Sequence, residues 1–185
     1  ILTGAVNSVG EAIRTNAPSS YRLGVEASLN WQVSTRLTWQ ANLTLSQNRI
    51  RNFTEKLVEY ADYSVVSVNH GTTDIAYSPA AIAGNTLMYR FGKLEASLLS
   101  KYVGKQFLDN TSNAARALPA YMTQDVRFAY AFTSKIQATL LLNNVLNASY
   151  SSNGYTYSYL YEGNMTTENF QYPQAGFNFL LGLSV

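Results

Sequence analysis

The stretch that most constrains the fold is Tyr21 to Leu45. From Tyr21 to Val33 every odd position is apolar: Tyr21, Leu23, Val25, Ala27, Leu29, Trp31 and Val33. Every even position is polar or glycine: Arg22, Gly24, Glu26, Ser28, Asn30 and Gln32. Ser34-Thr35-Arg36 interrupts, and the alternation resumes with Leu37, Trp39, Ala41, Leu43 and Leu45 apolar. A strict period of two predicts two β-strands, each with one greasy and one wet face. The short polar break joins them as a hairpin.

The run is long as well as regular. At about 3.3 Å per residue the first strand spans roughly 43 Å, and a tilt near 45° brings that to about 30 Å, the thickness of a bilayer core. Strands of globular proteins have a mode of about 5–6 residues. Trp and Tyr on the apolar face add to the likeness to a membrane-spanning barrel strand. Composition agrees. The chain is 46% hydrophobic but only 13% charged, and it holds 14 Tyr, against about 25% charged residues in ordinary soluble domains. A spanning helix is not expected. The densest apolar stretches, Ala138–Leu142 and Phe177–Leu183, carry Thr139 and Asn178 and fall well short of about 18 residues.

Other classes recede. The net charge is +2 and the Lys and Arg residues are scattered, which argues against a nucleic-acid partner. Without cysteine there is no disulfide framework and no thiolate metal site. The chain begins at Ile1 with no basic or apolar leader, so it is read as a mature or internal piece of an exported protein.

Seven long antiparallel strands are expected, near 21–33, 37–53, 79–91, 94–107, 120–132, 136–149 and 170–185. The segment 1–10 reads as the upper end of a further strand, and 11–20, with Pro18-Ser19-Ser20, as a loop. Val65, Val66 and Val68 suggest a short strand inside the connection 54–78. Short breaks at 34–36, 92–93 and 133–135 alternate with long ones at 54–78, 106–119 and 147–169. Short turns on one side and long loops on the other are the pattern of outer-membrane barrels. The weak faces carry Glu26, Arg90, Glu95, Lys101, Asp125 and Arg127, charges that a lumen tolerates and lipid does not. Asp125 and Arg127 face the same way and are candidates for a lumen salt bridge. A soluble sandwich would need shorter strands and no such alternation of breaks.

Several segments resemble the C-terminal barrel of TonB-dependent outer-membrane receptors, particularly the Bacteroidetes-like ones. They are SYRLGVEASLNWQVSTRLTWQANLTLSQNRIRNF, LLSKYVGKQFLDNT, LLLNNVLNASYSSNGYTYSY and YPQAGFNFLLGLSV. The resemblance covers most of the chain, and the order and spacing of the segments carry it. It implies an all-β, antiparallel transmembrane β-barrel of 22 strands with an N-terminal plug inside it. This chain would then supply about the last seven strands, residues 1–185 being one part of that barrel domain. It further implies a Gram-negative outer-membrane location, contact with outer-membrane lipid, and active uptake of a scarce nutrient (an iron complex, carbohydrate or cofactor). The TonB complex would act through a region outside this chain, and a surface lipoprotein would be a further partner. Such barrels usually end on an aromatic, which the outward register places two residues beyond Val185.

No cofactor, metal site or catalytic constellation is expected, and the chain is not read as an enzyme. His70, the sole histidine, is read as a solvated loop residue, and no serine sits in a nucleophile elbow. The candidate binding residues are Tyr155, Tyr157, Tyr159 and Tyr161, alternating on one face of an extracellular hairpin. Such a row offers apolar area with a polar tip to a sugar ring or an aromatic iron chelator, or simply packs as an aromatic girdle. Tyr60, Tyr63 and Tyr102 are secondary candidates. A passive porin or small self-contained barrel is the alternative function, and a barrel adhesin or enzyme the next.

Overall fold

The alternating runs form strands in the computed structural model, which describes residues 1–7, 9, 11–17 and 19–185. In chain order these are β1 (Leu2–Val6), β2 (Ala12–Arg14), β3 (Ser20–Gln32), β4 (Leu37–Val58), β5 (Val65–Asp74), β6 (Ala81–Phe91) and β7 (Leu94–Val103). There follow β8 (Gln106–Phe107), β9 (Ala117–Leu118), β10 (Tyr121–Ala131), β11 (Gln137–Asn143), β12 (Ser151–Tyr161), β13 (Asn164–Pro173) and β14 (Asn178–Ser184). A 3-10 turn covers Ala114–Arg116. No helix among the described residues is long and apolar enough to cross a membrane.

The main sheet runs β14-β11-β10-β7-β6-β4-β3, antiparallel throughout, with β5 on the upper part of β4. Its registers align one continuous row: Trp31, Trp39, Leu87, Leu98, Val126, Leu142 and Phe179. A one-residue slip at Trp31, Trp39 or Val126, in either direction, would put a polar side chain into that row. The tight turns at the foot have local causes. The hydroxyls of Ser34 and Thr133 accept from the amides two and three residues on, at 3.0–3.2 Å. Gly92 supplies the positive φ of +59° that the Gly92-Lys93 turn requires.

The packed core does not lie on the Trp31–Phe179 face of this sheet. Leu23, Phe179 and Leu181 are 67%, 68% and 71% exposed. The fully buried side chains are Ile50, Leu57, Thr73, Leu108, Asn110, Arg116 and Leu118, all in the upper strands and long connections. An apolar face of this size left uncovered fits a barrel wall in lipid, not a soluble sandwich. The sheet does not close on itself: β3 and β14 each have one hydrogen-bonded neighbour, β4 and β11.

Several expectations are corrected. The last strand begins at Asn178 rather than near residue 170, because Asn164–Pro173 pairs with β12 as a separate hairpin. The sixth strand stops at Asn143, since Asn144 and Asn147 take left-handed φ of +49°. Asn144 turns the chain by donating its amide to Asp125 and its side chain to Ala148 and Ala175 carbonyls. The second strand runs past Phe53 to Val58, across an irregularity at Asn52, whose φ is +53°. The segment expected as a loop at 11–20 contains β2, paired with β1; its Pro18 lies outside the described residues. The connection 106–119 contains the small β8–β9 ladder. The valine strand at 65–68 is present and extends to Asp74. His70 therefore sits in β5, stacked on Phe53 with its Nε2 2.8 Å from Glu55, and is not a solvated loop residue.

Candidate functional site

Three long connections meet above the main sheet, at the end opposite the tight turns. One is the tall β4–β5 hairpin. Another, 104–120, folds around β8, β9 and the 3-10 turn. The last is the β12–β13 hairpin.

Arg116 ties them together. Its side chain is 2% exposed, and its Nη1 lies 2.6 Å from Glu55 on β4 and 2.9 Å from Asp109. Nη2 reaches Thr167 on β13 at 3.3 Å. Burial alone opposes its charge, but the hydrogen bonds to Asp109 and Glu55 outweigh that and hold the guanidinium above its usual range. A buried cation between two carboxylates is the arrangement in which a charge survives away from water.

The hairpin tips are clasped as well. Glu59 accepts from the amides of Glu162 and Gly163, at 3.0 and 2.9 Å, capping the positive-φ turn of β12–β13. The Tyr60 amide donates to the Leu160 carbonyl at 2.9 Å. The Tyr60 and Tyr157 hydroxyls hydrogen-bond to each other. Burial, then that bond, pushes the Tyr157 phenol up to about 12.

These contacts frame a cavity of about 920 Å³, within the range of small-molecule sites. Of the tyrosines expected to bind, Tyr60, Tyr63, Tyr155 and Tyr157 line it. Tyr155 stacks on Phe170 of β13, with centroids 4.7 Å apart and planes at 14°. Tyr159 instead packs edge-on to Tyr60 at 5.2 Å, outside the lining. Tyr161 is 55% exposed and also outside it. Tyr102 lies on the apolar face of β7, opposite Ala83 and Met122, and takes no part.

Sequence reasoning missed Phe53, Tyr77, Asp109, Glu168 and Phe170, all of which line the cavity. The sequence pattern places Phe170 at the start of the last strand and Glu168 in the connection 147–169, and only the β12–β13 pairing brings them opposite Tyr155 and Tyr157. Tyr77 carries no periodic signal. It is placed by its hydroxyl, which donates to the Gly154 carbonyl at 2.9 Å.

The registers put Glu26, Arg90, Glu95, Lys101, Asp125 and Arg127 all on the face opposite the Trp31–Phe179 row. The suggested Asp125–Arg127 pair does not form. Arg127 and Arg90 both bind Glu95, at 3.0 and 2.9 Å: Arg90 lies directly opposite it, and Arg127 reaches it across the diagonal, within range of a long side chain. Asp125 is held by the Asn144 amide at 2.7 Å.

Long strands, an uncovered apolar face, tight turns at one end and elaborated connections at the other define the wall of an antiparallel transmembrane β-barrel. The solved structures agree. The chain is similar to the siderophore receptor PiuA from Acinetobacter baumannii, at 16% identity and a TM-score of 0.71, covering 89% of this chain and 21% of that one. It is similar to the ferric yersiniabactin uptake receptor FyuA from Yersinia pestis, at 18% identity and a TM-score of 0.60, covering 88% and 22%. It is also similar to the copper transporter OprC, at 15% identity and a TM-score of 0.60, covering 97% and 26%. No protein-family model and no curated protein sequence matches it. At these identities the likeness is one of fold, and the chain spans about a quarter or less of each receptor's length (21%, 22% and 26%). The fold is that of part of the barrel of TonB-dependent receptors, consistent with the C-terminal part that the sequence resembles.

Proposed function

We propose that this chain is the C-terminal part of the barrel of an outer-membrane receptor. The receptor captures a scarce, small, ring-bearing nutrient outside a Gram-negative cell and imports it with TonB-coupled energy. The observation that carries the reading is the cavity walled by Tyr60, Tyr63, Tyr155 and Tyr157 at the end opposite the tight turns. Aromatic walls with hydroxyl tips suit a ligand with apolar ring faces and polar edges.

On this reading the Trp31–Phe179 row meets lipid, and Glu26, Glu95, Lys101 and Arg127 face the lumen. The outer edges of β3 and β14 pair with strands outside this chain, because an unpaired backbone edge costs several kcal/mol per group in hydrocarbon. Coupling to TonB, a plug and any surface lipoprotein would belong to the rest of the polypeptide and its partners.

The test is uptake. Cells carrying the intact receptor are grown on candidate nutrients at limiting concentration, with and without TonB, and with Tyr155→Ala/Tyr157→Ala. Growth that needs both TonB and the tyrosines is expected. Uptake indifferent to TonB, with steady ion conductance in planar bilayers, would favour a passive porin.

A further inference from the structure

We infer that the cavity takes a ring-bearing ligand rich in hydrogen-bond donors and without net negative charge. This rests on the receptor reading above and narrows its ligand class. Among the described residues the lining holds three carboxylates, Glu55, Asp109 and Glu168, and no Lys, Arg or His. The buried cation beside it, Arg116, is paired with Glu55 and Asp109. Two carboxylates against one guanidinium leave that trio at −1, and Glu168 brings the total to −2 with His70, beside Glu55, counted as neutral.

Glu168 is the part of this wall that a ligand can reach. It is exposed and has no ion pair among the described residues. It sits opposite Tyr157 in the hairpin register, on the same face as Tyr155 and Phe170. A ring lying against the Tyr155–Phe170 stack therefore presents its edge to a carboxylate. An ionised carboxylate only accepts hydrogen bonds, so the matching edge carries hydroxyl or ammonium donors. An anionic edge would meet like charge in a partly desolvated site. Sugar hydroxyls and protonated amines share the required chemistry, and aromatic faces accept either.

The experiment is calorimetric titration of the intact receptor in detergent with three matched trisaccharides. One is neutral (maltotriose), one aminated (the glucosamine trimer) and one carboxylated (trigalacturonate). A ferric tris-catecholate serves as a second anion. Wild type should bind the neutral or aminated trimer at least about tenfold more tightly than either anion, a difference of about 1.4 kcal/mol. Glu168→Lys should weaken the aminated trimer and admit the anions, while Glu168→Gln should lose the charge preference and keep neutral binding. Tyr155→Ala should weaken every ring. Heat-modifiable migration on gels verifies that each variant is folded.

An anion that binds wild type as tightly as the neutral trimer, and still depends on Tyr155, overturns the inference and leaves the aromatic-cavity reading standing. Charge discrimination untouched by either Glu168 variant also overturns it. Absence of Tyr155-dependent binding by any of the four ligands sinks the cavity reading itself.

Discussion

Removing Arg116 should release the outer connections from one another and leave the barrel wall intact. Its guanidinium joins Glu55, Asp109 and Thr167, which come from three separate segments, and the side chains of Glu55 and Asp109 are 4% and 15% exposed. Arg116→Met keeps much of the apolar stem, leaves Asp109 with no cation and leaves Glu55 with His70 alone. Breaking a buried pair by deleting one partner costs about 3–5 kcal/mol. If that cost falls on local opening, protection of the nearby amides should drop on the order of a hundredfold or more. The readout is hydrogen exchange by mass spectrometry on the receptor in detergent. Peptides covering 106–118 and 164–168 should lose protection, whereas 94–103 and 121–131 should not change. Adding Glu55→Gln to Arg116→Met removes one uncompensated charge and should recover part of the loss. Unchanged exchange in 106–118 would refute the idea that this ion cluster holds the connections together. Equal loss in the main sheet would show that the connections and wall unfold as one unit.

Other outcomes follow from the same geometry. Leu140→Arg should impair folding into lipid vesicles by about 2–4 kcal/mol at midplane depth, while Thr139→Arg, on the opposite face, should have a small effect; equal effects would mean the faces are reversed. The Tyr157 phenol, pushed up to about 12, is kept neutral by the folded hairpin, so its contribution is whole below the ordinary tyrosine range near 10. That contribution should be lost as pH rises through about 12. Phenolate absorbance should show a late-titrating tyrosine that Tyr157→Phe removes, and its persistence in that variant would contradict the assignment. Gly154→Val should open the β12–β13 hairpin, since a side chain there meets the Phe170 carbonyl. Overpacking of this kind costs about 1–3 kcal/mol, and faster proteolytic cleavage near residues 160–166 would report it.

The wall of this protein is legible in its sequence because a period of two sorts apolar and polar side chains onto opposite faces locally, one strand at a time. The alternation from Tyr21 to Leu45 sets strand, face and register together, and the observed Trp31–Trp39–Leu87–Leu98 row is that alternation laid across four strands. Turn chemistry at Ser34, Gly92 and Thr133 is equally local. The tyrosines at 155–161 could be seen as one face of a hairpin for the same reason. Tertiary structure alone decided which strand paired with them, because Asn164–Pro173 has no apolar alternation to mark it, Met165 falling on one parity and Phe170 and Tyr172 on the other. Arg116, flanked by Ala115 and Ala117 in a long connection, carries no periodic sign of burial. It becomes the centre of the outer assembly only when Glu55, Asp109 and Thr167 converge from positions up to 61 residues away.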